Sequence, residues 1–125
     1  MKYLARVIPG RGEGRRLGFP TLNLGVPEGF GAEQGVYAGW VWIGSEKMPA
    51  AFHHGPVPTF GIVAASLEAH VIDADIPQPP QALEFELVQR LREVQAFTGP
   101  ETLSRQIAAD VAAARAILQA GPEGL

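Results

Sequence analysis

The sequence predicts a mainly β fold, an antiparallel barrel or sandwich with one C-terminal α-helix packed on it. Several short segments are rich in β-branched and aromatic residues, no strand is followed by its own helix, and helical periodicity is strong only near the C-terminus. The 125 residues, 46% of them hydrophobic, suffice for one core. We therefore predict a single domain over residues 1–125, with strands over about 2–97 and a helix over about 99–119.

The first half of the chain contains three strand predictions. Residues 2–9 form a first strand of moderate quality, which a glycine-rich segment interrupts. Residues 35–44, "GVYAGWVWIG", are apolar on both faces, which predicts a strand buried on both sides. A Gly-Ser-Glu-Lys turn makes residues 47–55 the returning partner. The proline-broken residues 56–63 are predicted to lie at a sheet edge or in a loop.

The second half contains strands of alternating pattern. Residues 66–73, "SLEAHVID", alternate strictly, with Leu67, Ala69 and Val71 on one face and Ser66, Glu68 and His70 on the other. Residues 83–94 begin with the same period. These patterns predict strands with one buried face.

The last element is predicted to be an amphipathic helix. Thr98 and Glu101 have the spacing of a capping box, and Gly121-Pro122 ends the segment. Apolar residues recur at helical spacing between these signals, at Leu103, Ile107, Val111, Ala114 and Leu118.

Composition excludes several classes of function. The chain has no cysteine, so disulfides, zinc–thiolate sites and thiol nucleophiles are absent. The formal net charge is −3 and the basic residues form no dense block, so we do not expect a nucleic-acid partner. No apolar run is long enough to span a bilayer, and Met1 leads directly into a strand, so we expect a cytoplasmic protein without membrane contact.

Residues 10–23, "GRGEGRRLGFPTLN", have the composition of a phosphate-binding loop. Their glycines let the backbone approach a ligand and point successive N–H groups at an anion, and arginines add bidentate donors. No Gly-Lys-Ser/Thr follows, so this is not a Walker A loop. A flexible basic surface loop is the alternative interpretation.

Thr21 and Asn23 are candidate metal ligands. In an extended backbone their side chains project from the same face, and hydroxyl and amide oxygens suit Mg²⁺ that bridges nucleotide phosphates. Alternatively, both side chains make local turn bonds to the backbone.

Glu68 is a candidate general base, which His70 either tunes or merely neighbours. The alternative is that this face of the strand is simply solvated. Adjacent residues on a strand point to opposite sides, so His53 and His54 are not expected to share one metal ion. Trp40 and Trp42 share one face, for which core packing is the expected explanation.

Five segments together resemble the riboflavin kinase family. "VIPGRGEGRRLGFPTLNL" resembles its glycine-rich entry and Pro-Thr-Ala-Asn motif, and "GVYAGWV" and "GPVPTFG" resemble its next two motifs. "SLEAHVID" resembles its Glu-x-His strand, and "RLREVQAF" with "QIAADVAAAR" its closing segment and helix. Order and spacing hold over about residues 5–117.

The resemblance implies a six-stranded, Greek-key-like antiparallel barrel with a C-terminal helix, and phosphorylation of the riboflavin 5′-hydroxyl to FMN with ATP and Mg²⁺. By position, Thr21 and Asn23 would hold Mg²⁺ and the ATP phosphates, and Glu68 would be the base. The loop that would wrap the nucleotide contributes Gly10, Gly12, Gly14, Arg15 and Gly18. The implied partners are the small molecules riboflavin and ATP.

The sequence departs from the family pattern at several positions. Leu22 replaces the usual alanine, His53 an asparagine and Val57 an arginine, while "DADIPQPP" at 73–80 replaces Asp-Gly-Asp-Leu-Tyr-Gly and is stiffer. The stiffer loop motivates a second hypothesis, a flavin- or nucleotide-binding relative with little or no turnover. A third is a kinase for another alcohol. No adenylyltransferase motif is recognised, so FAD synthesis is not expected.

Overall fold

The computed structural model describes residues 1–9, 18–58 and 61–120, without the side chains of 57 and 62–64. These residues form six strands and one helix: β1 (Tyr3–Ile8), β2 (Leu22–Leu24), β3 (Gly35–Ile43), β4 (Glu46–Val57), β5 (Ile62–Val71), β6 (Ala82–Arg92) and α1 (Pro100–Ala120). The strands close into an antiparallel barrel in the order β1-β2-β5-β4-β3-β6. The predicted six-stranded barrel with a C-terminal helix is confirmed.

The inside of the barrel is filled by every second residue of its strands. Phe52 of β4 and Phe85 of β6 are 1% and 0% exposed, and their ring centroids lie 5.5 Å apart. Around them pack further inward residues, including Val41, Leu67 and Leu83. The period-2 patterns of the sequence therefore specify which face of each strand is buried.

Helix α1 covers the outside of the barrel over β3 and β4. Ala38 and Ala51 are small enough for the helix to approach, and they pack against its apolar side, formed by Val111, Ala114 and Leu118. This is the apolar face that the helical spacing predicts. Among the described residues, no helix has the length and apolar character needed to span a bilayer.

A buried ion pair that the sequence pattern does not predict also holds α1 to the barrel. Asp110 is 6% exposed on the otherwise apolar helix face. Arg92 of β6 donates from Nη2 to its Oδ2 at 2.8 Å and from Nε to its Oδ1 at 3.0 Å. Gln106 donates to the same Oδ1 at 2.9 Å. The carboxylate is thus multiply bonded, as burial of a charge requires.

Three local predictions need correction. Residues 56–57 and 62–63 belong to paired strands of the closed barrel and do not lie at a sheet edge. Pro56 has no N–H to donate, and the register shift between Gly55 and Val57 accommodates it. The helix cap lies one residue later, since the Gly99 N–H donates to Thr102 Oγ1 at 3.2 Å. Trp40 and Trp42 were expected to pack in the core, but both are half-buried, and each ring lies beneath a lysine. Lys47 Nζ is 4.3 Å from the Trp40 ring centroid and Lys2 Nζ is 4.0 Å from that of Trp42, although Trp40 also packs against the cluster under α1.

Candidate active site

Strand pairing brings three polar residues into a row on the outside of the barrel. Glu68 of β5 is the register partner of Asn23 in β2 and of His53 in β4. Its neighbours Leu67 and Ala69 point into the barrel, so Glu68 points outward. Directly paired residues on one face have Cβ atoms about 4.5–5.5 Å apart. The row therefore joins side chains from three separate segments of the chain.

The Glu68 carboxylate is turned toward β2. Thr21 Oγ1 donates a hydrogen bond to Glu68 Oε1 at 3.0 Å, across 47 residues of sequence. On the other side, Ser66 Oγ lies 3.5 Å from Glu68 Oε2 and 3.3 Å from the Gly55 carbonyl oxygen. The first contact is a normal hydrogen bond, and the second is at the outer limit for one. Each carboxylate oxygen thus faces a hydroxyl group.

Two histidines border this carboxylate, and each is bonded to a proline carbonyl. His70 Nδ1 lies 2.8 Å from the Pro20 carbonyl oxygen, and the edge of its ring meets Phe19 with centroids 5.5 Å apart. His53 Nε2 lies 2.8 Å from the Pro56 carbonyl oxygen and 3.2 Å from that of Gly55. A carbonyl oxygen only accepts, so these ring nitrogens carry the hydrogen.

His53 and His54 point to opposite sides of β4, as predicted. The His54 ring packs edge-on against Phe30, with centroids 5.0 Å apart, and its Nδ1 has no hydrogen-bond partner within the described part of the chain. Burial lowers the pKa of His54, and nearby His53 lowers it further, while the Glu33 backbone acts in the opposite direction. His54 is therefore favoured as a neutral ring and stands apart from the outer row.

The structure brings together Thr21, Asn23 and Glu68, three of the residues predicted for the site. The Thr21 hydroxyl bonds across to Glu68, in contrast to the local turn bond considered as its alternative. Gly18 has φ +86°, a conformation that favours glycine. Four predicted nucleotide-binding residues lie outside the described residues: Gly10, Gly12, Gly14 and Arg15.

The sequence assigns no role to Ser66 or His53 and leaves that of His70 open. Ser66 and His70 share the outward face of β5 with Glu68, so the alternation of that strand was the signal available for them. His53 carries no such signal, because only the pairing of β4 with β5 places it opposite Glu68.

The described residues contain no group of three or more His, Asp or Glu side chains able to hold a metal ion. A cation at this site would therefore rely on the Thr21 and Asn23 oxygens together with oxygens of the ligand. Such sparse protein ligation is usual for Mg²⁺ at phosphate sites.

Comparison with known proteins identifies the family of the chain. Residues 1–118 match the family described as "Flavokinase: Riboflavin kinase". The chain belongs to the riboflavin kinase family. It is 32% identical over 111 residues to the bifunctional riboflavin kinase/FMN adenylyltransferase of Escherichia coli K12, a match that covers 88% of this chain and 36% of that protein.

Other members of the family show the same partial overlap. The bifunctional riboflavin kinase/FMN adenylyltransferase of Pseudomonas fluorescens is 37% identical over 117 residues, covering 93% of this chain and 38% of that protein. The chain thus spans little more than a third of the length of these relatives. Its fold is also similar to a crystal structure named as a macrolide-efflux protein from Streptococcus pneumoniae, with a TM-score of 0.79, 26% identity, and coverage of 91% of this chain and 38% of that one.

Proposed function

We propose that the chain transfers the γ-phosphoryl group of ATP to the 5′-hydroxyl of riboflavin, giving FMN and ADP. The observation that carries the proposal is the contact of Thr21 Oγ1 with Glu68 Oε1 at 3.0 Å. It joins a candidate cation ligand to a candidate base, with Asn23 as the register partner of Glu68. Membership of the riboflavin kinase family supports the choice of substrate.

The residues present fit a magnesium ion. The Thr21 hydroxyl directs its hydrogen to Glu68, which leaves its lone pairs free for a cation. The Asn23 amide offers a second hard oxygen on the same outer face. Bound there with phosphate oxygens, Mg²⁺ would neutralise charge on the transferring group. Around it, the loop with Gly10, Gly12, Gly14, Arg15 and Gly18 would wrap the nucleotide.

Glu68 would act as the base in an in-line transfer. A bond forms between the riboflavin 5′-oxygen and the γ-phosphorus, the bridging bond from the γ-phosphorus to the leaving β-phosphate oxygen breaks, and the hydroxyl proton passes to the carboxylate. Oε1 accepts the Thr21 hydrogen bond, while Oε2 makes, among the described residues, the long contact with Ser66. Oε2 is therefore the oxygen better placed to take the proton.

The direct test is to incubate the purified protein with riboflavin, ATP and Mg²⁺ and to separate flavins and nucleotides by chromatography. Equal amounts of FMN and ADP are expected, and chelation of Mg²⁺ should stop both. Tight riboflavin binding without FMN would instead indicate a flavin-binding relative without turnover. ADP formed only with some other alcohol from a panel of candidates would identify a different acceptor.

A further inference from the structure

We propose that His53 and His70 are positioning residues that hold two backbone segments against opposite sides of Glu68, each through one specific ring nitrogen. The inference rests on the proposed function, since it assigns Glu68 the role of base. Neither histidine touches the carboxylate in the described contacts. Each histidine instead holds a stretch of backbone beside a hydroxyl group that faces the carboxylate.

On the β2 side, His70 holds the segment that presents Thr21. Its Nδ1 donates to the Pro20 carbonyl at 2.8 Å, and Thr21 is the next residue. Thr21 then donates to Glu68 Oε1 at 3.0 Å. The edge-on contact of Phe19, with centroids 5.5 Å apart, restricts rotation of the His70 ring. His70 therefore sets the position of a proposed cation ligand relative to the base.

On the β4 side, His53 holds the irregular end of its own strand. Its Nε2 donates to the Pro56 carbonyl at 2.8 Å and approaches the Gly55 carbonyl at 3.2 Å. The Gly55 carbonyl is also 3.3 Å from Ser66 Oγ, the hydroxyl that faces Glu68 Oε2. His53 therefore acts on the second carboxylate oxygen through the backbone and Ser66.

The two contacts are equivalent in chemistry but use different nitrogens. A proline has no N–H, so a histidine can hold these residues only through their carbonyl oxygens. The nitrogen of an asparagine side chain is as many bonds from Cα as His Nδ1, and that of glutamine as many as His Nε2. Asparagine should therefore be able to make the contact of His70, and glutamine that of His53. Glutamine at position 70 and asparagine at position 53 should not be able to make them.

The first experiment compares His70→Asn with His70→Gln, and His53→Gln with His53→Asn, in the FMN assay. We expect His70→Asn and His53→Gln to stay within about threefold of the unaltered protein, and the two mismatched variants to lose about 10- to 100-fold, the scale of a small misplacement of a reacting group. His70→Gln should mainly raise the Mg²⁺ concentration for half-saturation. His53→Asn should mainly lower kcat. Equal activity of both amides at either position, or the reverse order, would overturn the proposal.

The second experiment needs neither activity nor a variant. In the ¹⁵N-labelled full chain above about pH 8, where an ordinary imidazole is neutral, long-range ¹H–¹⁵N spectra report which ring nitrogen carries hydrogen. We expect the Nδ1–H form for His70 and the Nε2–H form for His53. The opposite form at either residue would refute the proposal even if a variant failed to fold. Failure to make FMN despite the expected forms would count against the proposed function and not against the two contacts.

Discussion

The inner and outer faces of β5 make different kinds of side-chain contact. On the inner face, Leu67 and Ala69 are 1% and 0% exposed and make only non-directional packing contacts. On the outer face, Ser66, Glu68 and His70 are half-buried, and each has a hydrogen-bond partner outside β5 or on a neighbouring side chain. Because side chains alternate along a strand, the two kinds of residue are covalent neighbours.

The residues that stabilise the barrel and the residues proposed for catalysis therefore lie on opposite faces of the same strand, although they are adjacent in sequence. Packing tolerates modest changes of shape, whereas a proton transfer depends on the position of single atoms. Substitutions on the inner face are therefore expected to change the free energy of unfolding. Substitutions on the outer face are expected to change turnover.

The largest effect is expected from Glu68→Gln on the outer face. The amide keeps the shape and can still accept from Thr21, but it cannot take up the proton of the hydroxyl. We expect kcat to fall about 10²- to 10⁴-fold, which corresponds to about 3–5 kcal/mol in activation free energy. The unfolding free energy should stay within about 0.5 kcal/mol. FMN formation at the parental rate would show that Glu68 is not the base.

Phe85→Ala on the inner face is expected to have an effect of nearly equal size, but on the free energy of unfolding and not on kcat. Phe85 is 0% exposed, so its truncation leaves a cavity and should lower the unfolding free energy by about 3–5 kcal/mol in denaturant titration. Val88→Ala is the matched control on the same strand, because Val88 is 47% exposed and its change should stay within about 0.5 kcal/mol. Under conditions where both variants remain folded, kcat should stay close to that of the unaltered chain. A selective loss of kcat in Phe85→Ala would contradict the separation of the faces.

Patterns that depend on local periodicity were predictable from the sequence. The alternation of 66–73 correctly separates the faces of β5, and the spacing from Leu103 to Leu118 correctly identifies the apolar side of α1. Both follow from the geometry of a single element. The cap of α1 was predicted one residue early. The sequence offers Thr98 with Glu101 three residues on, whereas in the structure Gly99 precedes the helix and its N–H donates to Thr102.

Contacts between distant segments were not predictable from periodicity. The pairing of β2 with β5 puts Asn23 opposite Glu68, and nothing local in either segment specifies that partner. The resemblance to riboflavin kinases supplied the grouping of Thr21, Asn23 and Glu68 instead. Asp110 shows the same limit, since a carboxylate on an apolar face requires a partner but does not identify Arg92.

An intermediate effect is expected from Asp110→Asn, which tests the contact of α1 with the barrel. The new amide would place N–H groups against the Arg92 guanidinium, so we expect the unfolding free energy to fall by about 2–3 kcal/mol. Asp73→Asn is the control, because it breaks an exposed pair with Arg115, made at 2.8 Å, that should be worth at most about 1 kcal/mol. Asn also tolerates the φ of +59° at that position. Equal losses for the two variants would mean that burial of the Asp110 pair is unimportant.

The smallest effect is expected from the titration of His54, the half-buried ring on the inner face. Burial lowers its pKa in the folded chain, so the unfolded chain binds its proton more readily. The stability that comes from keeping the His54 ring neutral is therefore complete above the ordinary pKa of 6.5, and it is lost progressively as the pH falls below that value. Denaturant titrations at several pH values from about 7.5 to 5 should show the decline, and His54→Ile, which suits a strand, should reduce it. An identical pH dependence in the variant would assign the decline to other groups and would place His54 outside the packed interior.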